Sequence, residues 1–242
     1  MPHLFGLSWQ WPATCEVCLR WPSAPVCSAC LARHGNPRPR CPSCALPLAP
    51  GLERCQACNS RTDQPLAGCV ARVAYQYPWA DLVARFKFQG EPGWARTLAD
   101  IMVADPAVLQ VLGHCDLWAP IPLAHARLRE RGYNQAWELT KALRRAHPPT
   151  SGTAAHPDVL VHTDTSRLQH TLDRAERVGH ASLALKANPH PPATLVGRRV
   201  LLVDDVMTTG ATLEAAARCL LAQGAASVHG LVFARTPATP LI

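Results

Sequence analysis

Two adjacent carboxylates and a hydroxyl-rich turn follow an apolar run near the C-terminal end of the sequence. Asp204 and Asp205 come directly after apolar residues 200–203, and the turn beyond them contains Thr208, Thr209, Gly210, Ala211 and Thr212. A turn that opens a helix offers free backbone N–H groups and the positive end of the helix dipole, which suit a phosphate monoester. The acids would repel a phosphate, so we expect them to face sugar hydroxyls or a Mg²⁺ shell. The pattern predicts a site for a phosphorylated sugar.

Two other interpretations of this turn can be compared with the phosphate site. A P-loop is excluded because that motif requires Gly-Lys-Ser/Thr, and residues 204–212 contain no lysine. The acids could instead belong to a strand end where they only cap the next helix. An Asp-Asp pair alone would favour that interpretation, whereas the complete threonine-rich turn favours a phosphate site.

Eight of the eleven cysteines form four Cys-x-x-Cys pairs, which are Cys15/Cys18, Cys27/Cys30, Cys41/Cys44 and Cys55/Cys58. Each pair places two thiolates on one side of a metal, and two pairs complete a closed, structural Cys₄ site. The spacing therefore predicts two zinc ions. One ion per consecutive set of four is the simplest assignment, and a cross-braced pairing is the alternative.

A disulfide framework is another use of many cysteines, and it requires an oxidising compartment. The first fourteen residues lack a basic segment followed by an apolar one, and no apolar run reaches the length of a membrane span. We therefore expect a zinc-binding cytoplasmic protein without membrane insertion.

The formal charge of +7 counts cysteine as neutral. Eight thiolates and two Zn²⁺ reduce it to about +3, so global charge is weak evidence for a polyanionic partner.

The remaining sequence alternates predicted strands and helices. Strands are predicted near residues 69–75, 117–121, 159–162, 200–203 and 228–234. Helices are predicted near residues 80–88, 93–102, 134–145, 174–185 and 211–221. This alternation predicts an α/β fold with a largely parallel sheet flanked by helices. We divide the chain into an N-terminal zinc-binding module, residues 1–64, and an α/β domain, residues 65–242.

A basic segment follows the second predicted strand. It presents Arg127 and Arg131, four residues apart and able to share one helical face, followed by Asn134 and Gln135. Ligands of parallel sheets bind beyond the carboxyl ends of the strands, so this segment is placed to meet a pyrophosphate. A solvated basic helix face is the alternative.

The polar segment 166–177 lies between two predicted strands and contains Gln169 and Arg177. Such a segment could serve as a mobile cover over the site at the strand ends. An ordinary surface loop with an exposed helix is the alternative.

Together these segments resemble the competence-protein ComF family. The resemblance rests on the Cys₄ region, Lys-Phe-Gln-Gly at 87–90, Arg-Leu-Arg-Glu-Arg-Gly-Tyr-Asn-Gln at 127–135, Gln-x-x-Leu-x-x-x-x-Arg at 169–177, and the aspartate-threonine turn. It implies a type I phosphoribosyltransferase fold in which the two acids hold the ribose hydroxyls of phosphoribosyl pyrophosphate (PRPP) and the turn holds its 5-phosphate. The resemblance also implies a role in DNA uptake, with single-stranded DNA and competence proteins as partners. His180 departs from the family pattern, which has Asn there.

Two functions follow from the motifs and the resemblance. The first is a phosphoribosyltransferase, a glycosyltransferase that uses PRPP with Mg²⁺. The second is a non-catalytic module of the same fold that binds single-stranded DNA and competence partners. The sequence contains no pattern that identifies an acceptor substrate, and it predicts no catalytic residue.

Overall fold

The computed structural model describes residues 12–148, 152–163 and 185–238. The chain forms two compact units, Met1–Asn36 and Pro37–Ile242. The first unit contains the first four paired cysteines, and the second contains the other four together with the central sheet. The division predicted at residues 64 and 65 rests on composition and stays a prediction.

A five-stranded parallel sheet forms the centre of the second unit, in the order β1-β7-β6-β2-β3. Strands β4 and β5 form a separate antiparallel pair. The strands are β1 Gly68–Ala74, β2 Leu117–Pro120, β3 Ala154–Ala155, β4 Leu160–His162, β5 Leu185–Ala187, β6 Arg199–Met207 and β7 Ser227–Arg235. Strands β6 and β7 lie in the interior of the sheet and are mostly buried, as expected for parallel strands covered on both faces.

The described helices are α1 Ser28–His34, α2 Gln56–Asn59, α3 Trp79–Phe88, α4 Trp94–Val103, α5 Pro106–His114, α6 His125–Arg131, α7 Gln135–Ala146 and α8 Ala211–Ala222. Helix α7 packs on β2 and β6, and α8 packs on β6, β7 and β5. No helix in the described ranges is both long and apolar enough to cross a membrane.

Local sequence signals set the boundaries of the longer helices. The Asp105 side chain accepts a hydrogen bond from the Ala107 N–H and caps α5, which begins with Pro106. The Asn134 side chain caps α7 by accepting from the N–H groups of Ala136 and Trp137. These caps satisfy N–H groups that have no partner inside the helix.

The structure confirms the largely parallel sheet and most predicted elements, and it differs from the prediction in four places. Strand β6 continues through both aspartates to Met207, so the turn begins later than the apolar run indicates. The strand predicted at 159–162 is β4, which pairs with β5 and does not join the parallel sheet. Helix α5 was not predicted. Most of the helix predicted at 174–185 lies outside the described residues, and its last residue, Leu185, begins β5.

Candidate functional site

The threonine-rich turn connects the end of β6 to the start of α8. Thr208 and Thr209 are exposed, and Thr212 lies half-buried in the first turn of α8. Gly210 has φ +92, a conformation that L side chains rarely adopt, and a Cβ there would overlap the Met207 side chain. The turn therefore needs glycine. Because it leads into a twelve-residue helix, it lies at the positive end of the helix dipole, where the first N–H groups have no partner inside the helix; that of Ala211 donates to Thr209 Oγ1 at 3.3 Å.

The two aspartates occupy different environments at the end of β6, since neighbouring residues of a strand point to opposite faces. Asp205 is buried at 3% exposure, and its Oδ1 lies 2.9 Å from Lys87 Nζ. Its Oδ2 has no hydrogen-bond partner among the described residues. Asp204 is half-buried, and its Oδ1 accepts a hydrogen bond from the Asp205 N–H at 2.8 Å. Burial, and then the charge of Asp205, raise the pKa of Asp204 to about 7.

Lys87 is a site residue that chemical reasoning from the sequence did not single out. It belongs to the Lys-Phe-Gln-Gly element, which carried the family resemblance but had no predicted role. The structure places it in the last turn of α3, where its ammonium group is the counter-ion of a buried carboxylate. A buried carboxylate is costly without a partner, so this ion pair offsets the cost of burying Asp205.

The end of α3 also contacts the predicted basic segment. The Tyr133 hydroxyl donates a hydrogen bond to the Phe86 carbonyl, and the Arg131 guanidinium lies 4.8 Å from the centre of the Phe88 ring. Arg131 Nη1 also donates to Gln135 Oε1 at 3.0 Å. Residues 86–88 thus connect the basic segment to the aspartates of β6.

The other predicted residues of this segment have distinct surroundings. Arg127 lies on α6, which has no buried residue. Asn134 caps α7 and donates from Nδ2 to the Ile121 carbonyl at 3.1 Å, so it holds the segment against the end of β2. Gln135 is 3% exposed, and its Nε2 has no hydrogen-bond partner among the described residues.

The predicted cover residues Gln169 and Arg177 lie outside the described residues.

The eight paired cysteines form two clusters, and each consists of four consecutive cysteines. The first is Cys15, Cys18, Cys27 and Cys30, and the second is Cys41, Cys44, Cys55 and Cys58. Within each cluster all Sγ atoms lie within 4.8 Å of one another. Sγ–Sγ separations of 3.8 Å, 3.7 Å and 3.6 Å occur in Cys15–Cys30, Cys18–Cys27 and Cys44–Cys55. A tetrahedral site with Zn–S bonds of about 2.3 Å requires separations of about 3.8 Å, so both clusters fit zinc. The consecutive assignment replaces the cross-braced alternative.

A cavity of about 550 Å³ lies along β1, and neither Asp204, Asp205 nor any residue of the turn lines it. Arg38, Arg40 and Arg72 contribute to its lining together with Cys41 of the second cluster. Arg40 donates to the Ala45 carbonyl at 2.9 Å, and Arg72 donates to the Ile101 carbonyl at 2.9 Å. These hydrogen bonds, and the negative charge of a zinc-loaded cluster, provide partners for Arg40 and Arg72 without a bound anion. The turn after β6 is therefore the stronger candidate for a phosphate site.

Known proteins are similar in sequence to this protein over most of its length. Residues 154–241 match the model of the phosphoribosyl transferase domain. Competence protein F of Haemophilus influenzae is 32% identical over 210 residues, which cover 84% of this chain and 87% of that protein. DNA utilization protein YhgH of Escherichia coli is 28% identical over 235 residues, covering 93% and 98%. Competence protein ComFC of Bacillus subtilis is 28% identical over 221 residues, covering 89% and 86%. The chain therefore belongs to the ComF family of competence proteins and contains a phosphoribosyl transferase domain.

Proposed function

We propose that this protein binds PRPP with Mg²⁺ at the carboxyl end of β6 and transfers the phosphoribosyl group to an acceptor. The observation that carries the proposal is the continuous arrangement of Asp204, Asp205 and the Gly210 turn at the start of α8. The turn would hold the 5-phosphate through its N–H and hydroxyl groups. The aspartates would accept hydrogen bonds from the ribose hydroxyls.

Transfer breaks the bond between C1 of the ribose and the pyrophosphate oxygen, and it forms a bond between C1 and the acceptor. The departing pyrophosphate gains negative charge, which Arg131 and Arg127 would neutralise. Carboxylate oxygens are ligands that Mg²⁺ prefers, and a bound Mg²⁺ would supply further neutralisation of the pyrophosphate. The turn would thus hold the 5-phosphate of the substrate, the aspartates its ribose, and the cationic segment its pyrophosphate.

The test is calorimetric titration of PRPP with Mg²⁺ into the zinc-loaded protein and into Asp204→Asn/Asp205→Asn. We expect the wild type to bind and the double variant to lose at least about tenfold in affinity, because both acceptors of the ribose hydroxyls are weakened. The control is Asp116→Asn, which changes an aspartate at the opposite end of β6, where Asp116 pairs with Arg199. Equal affinity in the wild type and the double variant would contradict the proposal.

A second candidate function is a non-catalytic module that binds single-stranded DNA and competence partners. It is favoured by the names of the relatives, which refer to competence and DNA utilization. It is also favoured by the exposed helix α6 and by the Phe88 ring, which is 67% exposed and lies beside Arg131. Cationic groups next to an exposed ring are what a stacked single strand requires. Phosphorus NMR separates the two functions, since transfer to an added acceptor releases pyrophosphate from PRPP faster than hydrolysis does in a sample without that acceptor. A cytoplasmic location stays a prediction.

A further inference from the structure

Arg235, the last residue of β7, connects the second cysteine cluster with the turn after β6, and both belong to the second unit. Its side chain is buried at 5% exposure. The Nε–H donates to the Cys44 carbonyl at 2.9 Å. Nη1 donates to the carbonyls of Met207 at 3.2 Å, Thr236 at 2.8 Å and Thr208. One guanidinium therefore joins the backbone of the second cysteine cluster to the backbone of the phosphate-binding turn.

The charge of Arg235 is compensated by the cluster and not by a carboxylate. Its described hydrogen-bond partners are all backbone carbonyls. The thiols of Cys44, Cys55 and Cys58, together with that of Cys69, interact favourably with the charge of Arg235. Four thiolates with one Zn²⁺ carry a net charge of about −2. A buried guanidinium without such a counter-ion is costly, so loss of the metal would weaken the hold on the turn.

Weaker contacts connect the same two regions. Arg61 and Asp63, which follow the second cluster, form ion pairs of 2.7 Å each with Glu214 and Arg218 of α8. These pairs are largely exposed, and exposed ion pairs contribute little to stability. The buried contact through Arg235 is therefore the main connection.

We propose that Arg235 is a positioning residue that fixes the turn at 208–212 to the second cysteine cluster, so that zinc there controls the affinity for the 5-phosphate of PRPP. Zinc in the first cluster serves as the comparison, because that cluster belongs to the other compact unit. The identity of the ligand rests on the proposed function, whereas the connection between cluster and turn does not.

The first test is Arg235→Gln, which removes the charge and retains a shorter donor. We expect two zinc ions per chain by elemental analysis, because Arg235 is not a zinc ligand, and an affinity for PRPP reduced at least about tenfold. The matched control is Arg72→Gln, which removes an equally buried arginine that donates to Ile101 on α4. We expect Arg72→Gln to change stability but to leave the affinity within about twofold. Equal affinity in folded, zinc-loaded Arg235→Gln and wild type would overturn the proposal.

Hydrogen exchange tests the positioning role of Arg235 without ligand, and therefore independently of PRPP binding. The amides of residues 208–212 are expected to exchange faster in Arg235→Gln than in wild type or Arg72→Gln, with no ligand present. If the wild type binds no PRPP, the proposed function fails, and the exchange rates alone decide whether Arg235 positions the turn. Unchanged exchange in Arg235→Gln overturns the positioning role.

The metal itself is tested by substituting one cysteine in each cluster. Cys55→Ser is expected to release one zinc and to accelerate exchange at 208–212, whereas Cys15→Ser is expected to release the other zinc and leave those amides unchanged. Equal effects of the two substitutions would overturn the link to the second cluster. If Cys55→Ser does not fold, removal of zinc from the wild type and from Cys15→Ser by a chelator gives the same comparison.

Discussion

Asp204 and Asp205 are adjacent in sequence and differ in the charges around them. Lys87 compensates the buried carboxylate of Asp205 at 2.9 Å. Asp204 is half-buried and forms no ion pair among the described residues, so burial and the charge of its neighbour raise its pKa to about 7 against the opposing charge of Lys87. Such a group changes its ionisation near neutral pH, and the ionised form is the one that accepts hydrogen bonds from a sugar or binds a cation.

The raised pKa of Asp204 predicts a pH dependence of stability in the absence of ligand. Its pKa is 3.8 in the unfolded reference and about 7 in the folded protein. Between these values the folded protein keeps a proton that the unfolded chain has released, so the free energy of unfolding from this group decreases as pH rises. Asp204→Asn removes the effect. We expect the variant to gain roughly 2 kcal/mol relative to wild type between pH 5.5 and 8.

Urea denaturation of both zinc-loaded proteins at several pH values measures this difference. Comparing the two proteins at each pH cancels the pH dependence of zinc binding, which is common to both. A stability difference that is constant over the range would mean that Asp204 titrates in the folded protein as it does in a peptide.

The turn between β6 and α8 is the element on which the proposed phosphate site depends. Gly210→Ala places a Cβ against Met207 at a φ of +92, so we expect the turn to move and the affinity for PRPP to fall at least about tenfold. Calorimetric titration of PRPP measures the loss. The matched control is Gly224→Ala, at the other end of α8, where φ is +88 and a Cβ would lie 3.2 Å from Val196. It should lower stability and spare the affinity. Equal losses in both variants would show a global effect.

The elements of the site were predictable where a local signal specifies them. The run at 200–203 predicts a buried strand, and the glycine and threonines predict the turn, because each acts through its own backbone conformation or donor groups. The pairing of Lys87 with Asp205 was not predictable, since it depends on how α3 packs against β6. The separation of β4 from the parallel sheet depends on strand partners that a short apolar run does not identify. Similarly, cysteine spacing predicts the zinc clusters but not the contact between Cys44 and Arg235.

At the scale of the whole molecule, net charge does not predict a nucleic-acid partner. The formal charge of +7 falls to about +3 when two Zn²⁺ bind eight thiolates. A nucleic-acid surface must then arise from local clusters of cations. Helix α6 provides such a cluster, because Arg127 and Arg129 are exposed on it and Arg131 lies beside the Phe88 ring.

Two arginines can be removed from α6 or, in a separate variant, from α7. Comparing the two variants shows whether DNA binding depends on the surface of α6 or on the total charge of the protein. We expect Arg127→Ala/Arg129→Ala to weaken binding of a single-stranded oligonucleotide, because exposed arginines that contact phosphates release counter-ions on binding. Two lost contacts reduce the slope of log affinity against log salt concentration by about 1.4 in magnitude. The control, Arg144→Ala/Arg145→Ala in the last turn of α7, removes the same charge elsewhere. Fluorescence anisotropy at several salt concentrations measures both slopes. If the two double variants weaken binding equally, the interaction depends on total charge, and α6 is not the DNA-binding surface.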